Sequence, residues 1–165
     1  MKKQKGFSLI ELLIVVAIIL IIAAIAIPNL LRSKIAANEA SAVYSLRAIN
    51  TAQVTYFASW GLGYGALGSL STPAAGCAAA TAAAACLIDS NLGGGTKSGY
   101  FFTSVAGGGA GTPVNPNTSF NSTAVPVAAG KSGQNSYCSD ASGVIRRDIS
   151  GAVDNACATS SLPPL

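Results

Sequence analysis

The sequence predicts an α+β protein: a long curved N-terminal helix packed against a small antiparallel β-sheet head. Three observations carry the expectation. Phe7 to Leu31 is an apolar run whose only ionisable side chain is Glu11. Residues 29–60 then continue with helical periodicity and without a glycine or proline. Beyond Ser98, short runs rich in aromatic and β-branched residues alternate with Gly- and Ser-rich turns.

The apolar run comes first. Twenty-five helical residues at about 1.5 Å each reach roughly 37 Å, enough to cross a hydrocarbon core of about 30 Å. Lys2, Lys3 and Lys5 precede it, and Arg32 and Lys34 follow it. The chain carries ten basic and six acidic side chains, a net +4. Without residues 1–6 the balance is seven against six, so most of the basicity is a topology signal on the cytoplasmic side of a span. It is a poor footprint for nucleic acid. Half of the residues are hydrophobic and 10% charged, which fits a membrane-inserted or tightly assembled chain.

A lone carboxylate in the first turns of such a span needs a partner. Three readings of the N-terminus compete. A signal peptide cut near Ala24-Ile25-Ala26 explains the basic start, but the apolar run is too long for it and contains Glu11. A plain single-pass anchor, as in a membrane-anchored binding protein, explains the length but leaves Glu11 without a reason. A cut between Gly6 and Phe7 retains the segment and gives Phe7 a free amine, four residues from Glu11. Between neighbouring copies that pair sets axial register, since removing one partner strands a buried charge.

Pro28 lacks an amide hydrogen and crowds the carbonyl of Ala24, so it either kinks a continuing helix or marks the end of the membrane helix. From Arg32 the helix is amphipathic. Val43, Leu46, Ile49, Tyr56 and Trp60 form an apolar face, with Asn38, Glu39, Arg47 and Asn50 opposite. Gly61, Gly63 and Gly65 end it. Tyr44, Tyr56, Phe57 and Trp60 read mostly as packing onto the sheet rather than as an electron path. The organisation expected is a leader at 1–6, an apolar half-helix at 7–31, an amphipathic half at 32–60 and a head at 61–165.

The stretch MKKQKGFSLIELLIVVAIILIIAAIAIPNLLRSKIAANEAS closely resembles the N-terminus of type IV prepilins and of type II secretion pseudopilins. The resemblance implies cleavage after Gly6 and N-methylation of Phe7 by a prepilin peptidase. It implies that Glu11 neutralises the Phe7 amine of an adjacent copy, and a homo-oligomeric filament raised by inner-membrane assembly machinery. The leader is then cytoplasmic and the head periplasmic before assembly. Many members carry glycine where this chain has Leu20. Two roles follow from the resemblance: a pilus subunit for adhesion and twitching motility, or a periplasmic pseudopilin.

In the head, residues 61–97 read as an irregular connection, with a short helix possible in AAATAAAA between Cys77 and Cys86. Strands are expected near 99–105, 119–128, 135–138 and 144–147, giving a three- or four-stranded antiparallel sheet. Four cysteines permit three pairings. Cys77–Cys86 and Cys138–Cys157 are the expected disulfides, because each closes a short loop within one structural unit. Metal ligation is disfavoured without His or a C-x-x-C spacing. No cofactor and no enzyme activity are expected, for want of a nucleophile–base constellation. The glycines from Gly61 to Gly65 lack a P-loop's lysine. Asp140, Asp148 and Asp154 lack EF-hand spacing for calcium. The sequons at Asn117 and Asn121, and the cations Lys131, Arg146 and Arg147, are left unassigned.

Overall fold

The computed structural model describes residues 7–73, 75–149 and 163–165. The chain divides into two compact units, Met1–Lys34 and Ile35–Leu165. Helix α1 spans Leu9–Trp60 and has Pro28 inside it.

Within the first unit the helix is apolar and unburied. Leu9 is 80% exposed and Leu30 71%, and the large apolar side chains between Phe7 and Leu31 are all exposed. An 18-residue window here is hydrophobic enough to cross a membrane, with none of it buried. Apolar surface of this extent in water is unfavourable by roughly 25 cal/mol per Å². Lipid or other protein must cover it.

In the second unit the remainder of α1 loses its uniform character. Ala42, Leu46, Ile49, Ala52 and Tyr56 are buried, with Val43 and Trp60 partly so. The expected apolar face is the one that packs. The helix stops where Gly61 takes φ +65°, a left-handed conformation that costs glycine nothing. Two of the four aromatics expected to pack do otherwise. Tyr44 is 70% and Phe57 45% exposed. Phe57 instead stacks on Tyr64, which meets Phe120 edge-on at 4.8 Å.

The sheet is a five-stranded antiparallel meander in the order β1 to β5. Its strands are β1 (Thr96–Lys97), β2 (Tyr100–Gly107), β3 (Ser119–Pro126), β4 (Ser136–Asp140) and β5 (Ile145–Asp148). The four expected strands are present and β1 is added; two residues are too few to show a period-2 pattern. On the inner face Phe102 pairs Ala124, which pairs Tyr137, which pairs Arg147. Tyr100, Phe102, Ala124, Tyr137 and Ile145 join the buried residues of α1 in one core. Along β2, Tyr100, Phe102 and Ser104 are buried while Phe101, Thr103 and Val105 are exposed, the alternation a half-covered sheet demands. Residues 163–165 lie against β5, with Arg147 N–H donating to the Pro163 carbonyl.

The connection before the sheet is less irregular than expected. It contains two single turns of helix, α2 (Leu67–Leu70) and α3 (Ser90–Gly93), which bring Leu67, Leu70 and Leu92 into the core. The short helix expected between Cys77 and Cys86 is not formed. A tight turn stands there instead, closed by reciprocal Thr81–Ala84 backbone bonds. A disulfide joining residues nine apart draws the segment's ends to a Cα separation of 6.0 Å. Eight intervening helical residues would hold those ends about 13 Å apart.

Candidate functional site: the helix start and the polar anchors of the head

Ser8 precedes the first turn of α1. Its backbone N–H donates to Glu11 Oε2 at 2.9 Å, and its carbonyl accepts from Leu12 N–H at 3.3 Å. This is the carboxylate half of a capping box, in which an acidic residue at the third helical position reaches back to the N-cap amide. The Ser8-x-x-Glu11 spacing carries that signal in the sequence, and the reading of Glu11 as a partner for an amine passed over it. The carboxylate also lies at the positive end of the helix dipole. Phe7 is 88% exposed and Glu11 is exposed. Gly6 lies outside the described residues.

In the head, polar side chains of α1 hold loops in place, Asn38 among them through the Ser132 carbonyl at 2.8 Å. Glu39 collects the most donors. Its Oε1 accepts from Gln134 N at 2.8 Å, and from Asn135 N and Nδ2, each at 3.1 Å; its Oε2 accepts from Asn135 Nδ2 at 3.1 Å and the Tyr137 hydroxyl at 3.3 Å. Burial alone raises a carboxyl pKa, but these donors outweigh it and hold Glu39 below the usual range. Burial, with the same charge added to it, pushes the Tyr100 and Tyr137 hydroxyls upward.

Gln53 is fully buried. Its amide pairs with the Gly65 backbone in both senses: Nε2 donates to the carbonyl at 2.6 Å and Oε1 accepts the N–H at 2.9 Å. Nε2 also reaches Ser104 Oγ, which accepts from Ser122 Oγ at 2.8 Å. Asn50 donates to Ser139 Oγ at 2.8 Å and to the Gly143 carbonyl at 3.3 Å, fixing the β4–β5 turn. Neither Glu39 nor Gln53 stood out in the sequence as an anchor, because helical periodicity marks polar residues as a solvent face.

The Cys77–Cys86 disulfide is formed, and the Tyr56 hydroxyl donates to the Ala82 carbonyl within its loop at 2.7 Å. Cys138 is also disulfide-bonded; its expected partner, Cys157, lies outside the described residues. The signals left unassigned find local explanations. Asn117 donates to the Tyr64 carbonyl, tying the β2–β3 loop to the segment after α1. Asn121 is part of β3. Asp140 accepts from Ser142 N and Oγ in its own turn. Asp154 lies outside the described residues. Among the described residues, no three His, Cys, Asp or Glu side chains stand together as a metal site.

Residues 1–27 match the prokaryotic N-terminal methylation motif. The chain is 49% identical over 55 residues to the type IV major pilin protein PilA of Myxococcus xanthus, covering 33% of this chain and 25% of that protein. It is 62% identical over 39 residues to the type IV wide pilus major component PilA4 of Thermus thermophilus, 24% of this chain and 30% of the relative. The matches thus span a quarter to a third of these relatives' lengths. No solved structure matches. Over its N-terminal quarter to third, behind the methylation motif, this chain is thus similar to type IV major pilins.

Proposed function

We propose that the chain is a structural subunit of a type IV pilus, polymerising through the first half of α1. One observation carries the reading: a helix whose large apolar side chains from Leu9 to Leu31 are all exposed, opening within a methylation motif, with a single carboxylate at Glu11. Such a surface finds cover first in the inner membrane and then among copies of itself. Exchange of lipid for protein contact leaves little net hydrophobic gain, so packing and electrostatic register decide assembly.

In this proposal a prepilin peptidase cuts between Gly6 and Phe7 and methylates the new Phe7 amine. Glu11 Oε2 keeps the Ser8 N–H of its own helix, and Oε1 takes the Phe7 amine of a neighbouring copy. Pro28 bends the helix between the lipid-crossing segment and the head. Cys138 pairs with Cys157 and ties the C-terminal segment to β4. Adhesion and twitching motility are the roles of the finished surface fibre. The names of both relatives favour the pilus over a periplasmic pseudopilus.

The test is to shear surface filaments from native cells and determine the subunit's intact mass and N-terminal peptide. The expected result is abundant subunit starting at N-methylated Phe7 with all four cysteines oxidised. The same peptide confined to the envelope overturns the surface pilus in favour of a pseudopilin. A start at Met1 or Ile27 overturns the pilin reading altogether.

A further inference from the structure

The surface of the head contains an exposed side-chain pair and a recess of matching chemistry. Tyr44 and Arg47 stand one turn apart on the solvent side of α1, in an exposed row with Ala40, Thr51 and Val54. Tyr44 is 70% exposed, and Arg47 is the row's one charge. Elsewhere, where β3 runs past the end of β4, a cavity of about 590 Å³ opens between the end of the β2–β3 hairpin and the turn after β4. Val105, Ala106, Phe120 and Ala141 give it apolar walls, and Asp140 stands in its lining. The two patches share no residue.

The two patches carry opposite charges. Glu39 is saturated by donors, Asp89 is paired with Lys97 at 3.0 Å, and Asp148 is bonded elsewhere. The Asp140 carboxylate binds the N–H and hydroxyl of its own turn, through Oδ1. Arg47 forms no ion pair among the described residues. Asp140 and Arg47 are thus a carboxylate and a cation without a counter-charge among the described residues. Arg47 stands one turn from the exposed ring of Tyr44, and Asp140 lines a cavity with apolar walls.

We infer that these patches join one copy to the next: Tyr44 of one subunit enters the cavity of its neighbour, and Arg47 pairs with that neighbour's Asp140. Tyrosine and arginine are the side chains that most often carry interface energy, and an aromatic ring buries about 150–250 Å². The contact joins two different patches, so it is heterologous. Repeated without ring closure, it propagates as an open helix and not as a closed dimer. The inference rests on the pilus reading and adds a specificity contact in the head to polymerisation through α1.

The test uses the full-length chain in its native cells. Arg47→Glu and Asp140→Arg are made singly and together, beside Asp140→Asn, whose amide oxygen retains the turn while the charge is removed. Sheared filaments are quantified against total processed subunit. Each single variant, Asp140→Asn included, is expected to yield several-fold fewer filaments, with the Arg47→Glu/Asp140→Arg pair returning toward wild type. In an otherwise unaltered chain, benzoylphenylalanine in place of Tyr44 should photo-crosslink to peptides containing residues 103–107, 119–121 or 140–142 of a second copy. That readout is independent of any folding defect in the charge variants. A double variant no better than the singles, or crosslinks to another segment or another protein, overturns the contact while wild-type filaments leave the pilus reading standing. Absence of filaments from the wild-type chain refutes both together.

Discussion

Glu39→Ala should loosen the β3–β4 loop measurably. The carboxylate accepts from two backbone amides, the Asn135 amide and the Tyr137 hydroxyl, at 2.8 to 3.3 Å. A hydrogen bond to a charged group contributes about 1.5–3 kcal/mol when buried. Glu39 is only half-buried, so solvent screening discounts the sum, and about 2 kcal/mol is expected overall. In a folded unit of this size that corresponds to a fall in Tm of roughly 6–10 °C. The assay is thermal melting of the detergent-solubilised chain, followed by near-UV circular dichroism of its tyrosines. Acid supplies an internal control. The folded-state pKa of Glu39 lies below its unfolded value, so its contribution is complete above the ordinary glutamate pKa of about 4.3. It is lost as pH falls from there through the folded value. Wild type should therefore lose more stability than Glu39→Ala across that acid range. Equal Tm values at neutral pH, or parallel acid profiles, refute the anchor.

Three further perturbations test other links. Glu11→Gln keeps an oxygen for the Ser8 N–H but removes the charge, and Glu11→Ala removes both. Both should be inserted and processed yet yield few filaments, while only the alanine variant frays the helix start, by about 1 kcal/mol in amide exchange of residues 9–12; normal filaments from either sink the register argument. Gln53→Ala leaves the Gly65 amide and carbonyl unpaired in a buried site, so a loss of about 2–3 kcal/mol is expected in urea titration, with no change in N-terminal processing. Replacing Cys77 and Cys86 by Ala opens the ten-residue loop and should cost about 2.5 kcal/mol, read as a lower Tm insensitive to reductant at that site.

The N-terminal segment was legible because its signals are local. An apolar run, a single carboxylate, a proline and a glycine stop need no distant residue to be interpreted. The same locality made Ser8-x-x-Glu11 readable as a cap, although attention to the charge concealed it. In the head, strands of four to eight residues announced themselves through β-branched and aromatic runs, as did the Asp140–Gly143 turn. The two-residue β1 did not, since its pairing with Tyr100 and Phe101 exists only in the folded sheet. AAATAAAA has strong helix propensity, worth at most a few tenths of a kcal/mol per residue over ordinary residues. A nine-residue disulfide span and the Tyr56 anchor override it.

Sequence alone thus determined the apolar helix, its lone charge, its stopping point and the α+β class, because each follows from spacing along one chain. Only tertiary structure decided which polar residues of α1 face inward. Glu39 and Gln53 resemble solvent-facing side chains until Asn135 and Gly65 are brought beside them from elsewhere in the chain. It also decided that Tyr44 stays outside the core while Tyr56, three turns on, closes it. Periodicity distinguishes faces of a helix, but the sheet's width and the loops at its ends determine how much of each face is covered.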